Sequence, residues 1–224
     1  MEKETDRPLM IDDAFASQFL RGVSERLTST ELERWQADQV AIRPDASRIA
    51  EENARLAEDP AAGRWIQLSS MLLATYRSLR SSLGDEKRAL TILREALTRP
   101  LQGQITSYIQ ARFGISQDAP QEAFHHVSEN FKSRGELSFG RSFRYVDAIH
   151  DDRRAFVNIE RCLFNEFFRR NGAPEITPIL CALDNVWADE LSKPRYGVRF
   201  ERPTTLAKGD DACRFQFTKT EPSD

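Results

Sequence analysis

The chain has 224 residues, 40% of them hydrophobic and 30% charged, which suits one compact domain or a domain with a helical extension. A net charge of −3 and a pI near 5.8 exclude the clustered basic face of a nucleic-acid binder. No apolar run reaches the roughly 20 residues of a membrane span, and the stretch MEKETDRPLM is too charged for a secretory signal. Three cysteines are an odd number without the spacing of a disulfide framework, so a reducing cytoplasm is the expected compartment.

Taken in order, the first half reads as helices. Phe15, Phe19, Leu20, Val23 and Leu27 sit at helical spacing within Ile11 to Leu27. Ser29 or Thr30 is placed to cap a second helix through Trp35 and Val40, which Pro44 should end. A polar helix from Ala46 to Leu56 follows. Trp65, Leu68, Leu72, Tyr76 and Leu79 give the strongest amphipathic stripe, closed by Gly84. Asp85 caps the next helix, carrying Leu90, Leu93 and Leu97. Pro100 should break or kink it, and Ile105, Tyr108, Ile109 and Phe113 continue the pattern to Gly114. Such stripes build a bundle core or a surface for homo-oligomer contacts between the N-terminal helices. Ala119 to Phe131 is a further helix, begun by Pro120. His125 and His126 lie beside its apolar face, and half-exposed helix positions suit them better than a site.

From Ser138 the texture turns extended. Phe143, Tyr145 and Val146 begin a hairpin, the polar run from His150 to Arg153 turns it, and Phe156 to Arg161 returns. Cys162 stands where that strand meets a helix from Leu163 to Arg170. A helix N-terminus and the neighbouring Arg161 both favour thiolate there. Gly172 ends this helix, and Thr177 and Pro178 should cap and start the next. Leu180, Leu183, Trp187 and Leu191 share one arc of it. Asp184 lies at the edge of that arc, with Cys181 one turn earlier. A carboxylate at such a margin takes either a partner (Arg161, Arg199 or Arg202) or a shifted pKa. A second hairpin closes the chain. Its first strand runs from Gly197 to Glu201 and on through Thr204 to Ala207, and Lys208 to Asp211 turn it. Its last strand points Cys213, Phe215 and Phe217 inward.

The sum is an α+β fold. A helical N-terminal region (1–118) precedes an α+β region (119–224) of hairpin, two helices and hairpin, whose four strands make one antiparallel sheet.

The run of Arg161-Cys162, Gly172, Pro174-Glu175, Thr177-Pro178, Cys181, Asp184, Arg202, Thr204-Thr205, Gly209 and Cys213-Arg214-Phe215 resembles the L-2-amino-thiazoline-4-carboxylic acid hydrolase family. The likeness covers about Phe124 to Phe217. Two positions depart from the family pattern: Arg214 stands where Asp is usual, and Pro203 interrupts an Arg-Thr pair. The resemblance implies a hydrolase that opens a cyclic amidine to an N-carbamoyl amino thiol, acting on a small molecule without a cofactor. It also implies Cys162, Asp184, Cys181 and Cys213 as catalytic candidates, with Cys162 first as nucleophile. Arg202, Arg161 and Thr204 would hold the substrate. Three alternatives belong beside it: a Cys-ligated zinc protein, a non-catalytic small-molecule binder, and an accessory module docking a partner through its helices.

Overall fold

Helical spacing in the first half becomes helices because each stripe has another to bury against. The computed structural model describes residues 13–221. The helices are α1 (Asp13–Ser24), α2 (Ser29–Asn53), α3 (Pro60–Leu83), α4 (Glu86–Gly103), α5 (Ile105–Phe113) and α6 (Ala123–Phe139), followed by α7 (Leu163–Arg170) and α8 (Thr177–Leu191). The strands are β1 (Arg144–His150), β2 (Arg154–Arg161), β3 (Val198–Glu201) and β4 (Cys213–Lys219). The start of the first predicted helix, at Ile11, lies outside the described residues.

The chain folds as two compact units, neither of them a single continuous segment. The helical unit takes the described chain as far as Pro100 together with Leu163–Leu183. Here α2 and α3 pack along each other, and Trp65, Leu68, Leu72, Tyr76 and Leu79 are all buried. The stripe therefore offers no exposed apolar face of the kind a docking module needs. The later segment is tied in by specific contacts. Trp65 meets Phe164 edge-on with ring centroids 5.6 Å apart. The Tyr76 hydroxyl donates to Glu175 Oε1 at 2.7 Å, and Arg77 donates to the Asn171 carbonyl at 3.1 Å. Asn53 and Asn171 exchange side-chain hydrogen bonds.

The sheet unit takes Leu101–Cys162 and the chain from Asp184 onward. Its four strands are antiparallel in the order β1-β2-β4-β3, as the two hairpins require. Alternation gives the sheet one buried face, with Ala155, Val157 and Ile159 on β2 and Cys213, Phe215 and Phe217 on β4. Phe131 of α6 and Trp187 of α8 pack on it. The Phe131 ring lies 5.0 Å from both Phe215 and Phe217, and Trp187 meets Phe200 at 5.2 Å and Phe113 at 5.2 Å. Between Arg144 and Tyr145 the β1–β2 register skips Glu160, so Tyr145 pairs with Ile159 and turns inward.

Several local expectations need correcting. Pro44 does not end α2, which runs through it. Pro44 is exposed, while Ile42, Ala46, Ile49 and Ala50 on the opposite side are buried, and that packing outweighs the lost backbone hydrogen bond. The cap of α2 is Thr28, one residue before the pair expected. Its hydroxyl accepts from the Glu31 amide at 3.3 Å, and Glu31 accepts from the Thr28 amide at 2.8 Å, a reciprocal capping box. Pro100 does not break α4, which passes through it and stops at Gly103. Helix α6 continues to Phe139, where Gly140 at φ 78° releases the chain. Thr177 is already helical rather than a cap, because a 3-10 turn over Pro174–Ile176 feeds directly into α8. Past Pro203 there is no strand. Residues Leu206–Lys208 form a 3-10 turn that ends on Gly209 at φ 93°.

Candidate functional site

Asp184 is the centre of a polar cluster in the sheet unit. Its Oδ2 accepts from Arg202 Nη1 at 2.7 Å, and its Oδ1 accepts from Trp187 Nε1 at 3.2 Å, one helical turn on. The indole is fixed by its aromatic neighbours, so that donor is pre-aimed. Arg202 lies over the Phe215 ring at 5.3 Å, and its Nη2 donates to Asn185 Oδ1 at 3.0 Å. Of the expected partners, it is Arg202 that the fold supplies. The Asp184 side chain is still 33% exposed, against 11% for Arg202, so the pair is reachable from solvent. Burial nevertheless pushes the Asp184 carboxyl above its ordinary pKa, against the opposing pull of Arg202, the Trp187 N–H and Arg112.

Arg112, near the end of α5, completes the charge pattern. Its guanidinium lies 5.2, 5.7 and 5.9 Å from the ring centres of Phe113, Phe131 and Phe139. Its Nη2 donates to the Phe131 carbonyl at 3.3 Å, and its charge acts on the Tyr108 phenol one turn earlier. Desolvation raises the Tyr108 phenol to about 12, with Arg112 opposing and Asp184 adding to the shift. Tyr145 is raised further by desolvation, and the charges of Asp184 and Cys162 push it the same way. Its ring lies against the backbone of α6, where a Cβ built on Gly135 would come within 2.8 Å of it.

The candidate residues distribute as follows. Cys162 is half-buried at the β2–α7 junction, and Tyr145 feels both it and Asp184. Cys213 is buried, and its Sγ accepts from the Leu206 amide at 3.3 Å. Desolvation raises its pKa, which keeps it a neutral thiol, and it feels both Arg202 and Asp184. Cys181 belongs to the helical unit and is half-buried there. All three cysteines remain thiols. Arg161, with Arg144, Tyr145 and Glu160, lines a cleft of about 650 Å³ in which Arg144 pairs with Glu160 at 2.9 Å. Thr204 donates its hydroxyl proton to the Ala212 carbonyl at 2.8 Å and accepts from Arg214 at 2.9 Å, so its polar capacity goes into the hairpin. Arg214 is anchored in turn by Asp211 at 3.0 Å.

The span that holds these residues is matched by a family model. The model of L-2-amino-thiazoline-4-carboxylic acid hydrolase matches residues 66–217, well over half of the protein. The chain belongs to that family. No curated protein and no solved structure gives a match. The aminothiazoline carboxylate hydrolase match begins inside α3, so it takes in α5 and the arginine that the sequence reading passed over. Arg112 and Tyr108 carry no motif, and only the fold sets them beside Asp184. Tyr145 was legible as a strand residue, but the register skip that turns it inward was not. Among the described residues, no three His, Cys, Asp or Glu side chains gather as a metal site would need, which leaves the zinc alternative without a ligand set there. Among the same residues, no helix is long and apolar enough to cross a membrane.

Proposed function

We propose that this hydrolase-family protein opens a 2-amino-thiazoline-4-carboxylate, or a close cyclic amidine, to an N-carbamoyl amino thiol. One observation carries the reading. Asp184 is a solvent-reachable carboxylate held by Arg202 and Trp187 in surroundings that raise its pKa, the condition of a general base poised nearer neutrality. The substrate's electrophilic carbon lies between nitrogen and sulfur. Asp184 binds the amidinium N–H groups, which sharpens that carbon, and Cys162 attacks it. The ring carbon–sulfur bond breaks, and the sulfur leaves as a thiol. Water activated by Asp184 then displaces Cys162, and its oxygen becomes the carbonyl of the urea product. Cys213 is too buried and too firmly neutral to compete as nucleophile.

The test is release of thiol from 2-amino-thiazoline-4-carboxylate, with circular dichroism as a check on folding. Asp184→Asn lowers kcat by about 10²–10⁴-fold, the usual worth of a general base, and Cys162→Ser by at least as much. Full activity in Asp184→Asn removes the base from this scheme, and full activity in Cys162→Ser leaves water as the direct attacking group. Tight binding without ring opening by the wild type makes the protein a binder instead.

A further inference from the structure

Arg202 and Arg161 are the arginines that the sequence offers for the substrate carboxylate; Arg161 lines the separate cleft beside Arg144 and Glu160, and both terminal nitrogens of Arg202 already have partners, Asp184 and Asn185. Arg112 is differently placed. Its Nη2 reaches the Phe131 carbonyl, whereas Nη1 is buried and has no hydrogen-bond acceptor among the described residues. A buried charged donor left unused is costly, and folds rarely retain one without a use. The guanidinium is stacked among Phe113, Phe131 and Phe139, which fixes its position. The residue as a whole is only half-buried.

Charge balance points the same way. Two guanidinium cations, Arg112 and Arg202, act on one carboxylate, Asp184. Tyr108 and Tyr145 stay neutral beside them. Asp184 is already paired with Arg202, so Arg112 stands beside that pair as a second cation that attracts an anionic group.

We propose that Arg112 is the specificity-determining residue of the site, binding the substrate's carboxylate through Nη1 with the Tyr108 hydroxyl alongside, while the Asp184–Arg202 pair serves the amidine end. This assignment rests on the ring-opening reading for the identity of the ligand. It separates the two ends of the substrate between two arginines, one for recognition and one for holding the base. A carboxylate bound at Arg112 gains a charge-assisted hydrogen bond that a carboxamide of the same shape does not.

The experiment compares 2-amino-thiazoline-4-carboxylate with its 4-carboxamide, by calorimetric binding and by thiol release, in wild type, Arg112→Gln and Arg112→Lys. Wild type should bind the carboxylate about 30- to 100-fold more tightly than the carboxamide. In Arg112→Gln that ratio collapses to within about 3-fold, and in Arg112→Lys, which keeps the charge but not the fork, it falls about 10-fold. A merely structural role would lower both ligands together and leave the ratio alone. Should Arg112→Gln fail to fold, the wild-type ratio and Arg112→Lys decide. Equal binding of the two ligands by wild type, or a preserved ratio in a folded variant, overturns the assignment. Carboxylate preference lost in the variants but no ring opening by wild type leaves Arg112 in place and sinks the hydrolase reading instead.

Discussion

At Asp184, burial raises the carboxyl pKa in spite of Arg202, Trp187 and Arg112. An Asp raised in the folded state binds its proton more tightly there than in the unfolded chain, where its pKa is about 3.9. Its stabilising contribution is therefore complete below that value and is lost as pH rises through the folded pKa. Asp184→Asn removes this titration. In urea titrations from pH 3.5 upward, the stability of wild type relative to Asp184→Asn should fall as pH rises, and a flat difference would place the carboxyl in an unperturbed environment. Activity runs the other way, since the base must be ionised, so kcat should drop as pH falls through the same pKa. Asp184 was legible from spacing alone, because helical periodicity sets it at the margin of the Leu180–Trp187 arc. Arg112 was not. It reads as one more arginine on an amphipathic helix, and its neighbours Phe131, Phe139 and Asp184 come from elements far along the chain.

Elements were legible where a pattern and its ends agreed, and misread where tertiary packing overrode a local rule. Pro44 is such a case. It lies on the exposed side of α2, and the helix persists because Ile42, Ala46 and Ile49 are buried on the other. Pro44→Ala should therefore raise stability, recovering most of the roughly 3 kcal/mol cost of an interior proline, less the entropy the ring removes from the unfolded chain. A net gain of about 1–2 kcal/mol by urea unfolding is expected, and a loss would mean that the proline sets a bend α2 needs. Gly135 in α6 is the opposite case. Alanine gains about 1 kcal/mol of helix propensity there, but its Cβ would come within 2.8 Å of the Tyr145 ring. That ring is buried on β1, and the contact on the glycine side is helix backbone. The clash should win, with a net loss of about 1–2 kcal/mol. A stabilised Gly135→Ala would mean that the ring has room to withdraw. The Thr204 stretch failed as a strand because Pro203 lacks the N–H that a ladder takes, and Gly209 then tightens the turn.

For the whole molecule the decisive fact is that the chain re-enters its helical unit after making the first hairpin. Every candidate site residue lies after Leu101, so a fragment from Leu101 onward would carry the full set, including Arg112. It would also carry α7 and the turn beyond it without α2 and α3. Leu163, Phe167, Phe168 and Ile176, all fully buried in the intact chain, belong to the helical unit. Trp65 would be missing from Phe164, Tyr76 from Glu175, and Asn53 and Arg77 from Asn171. Each large apolar side chain left in water forfeits about 1.5–3 kcal/mol. Four of them together are comparable to the whole stability of a domain, about 5–15 kcal/mol. The fragment should therefore bind a hydrophobic dye, lose near-ultraviolet dichroism and unfold without a cooperative transition. Adding a separately made segment 1–100 should restore cooperativity, because the missing partners return by mass action. A fragment that folds cooperatively by itself would mean that α7 finds its burial within the sheet unit, and that the N-terminal helices are an independent addition rather than half of a shared core.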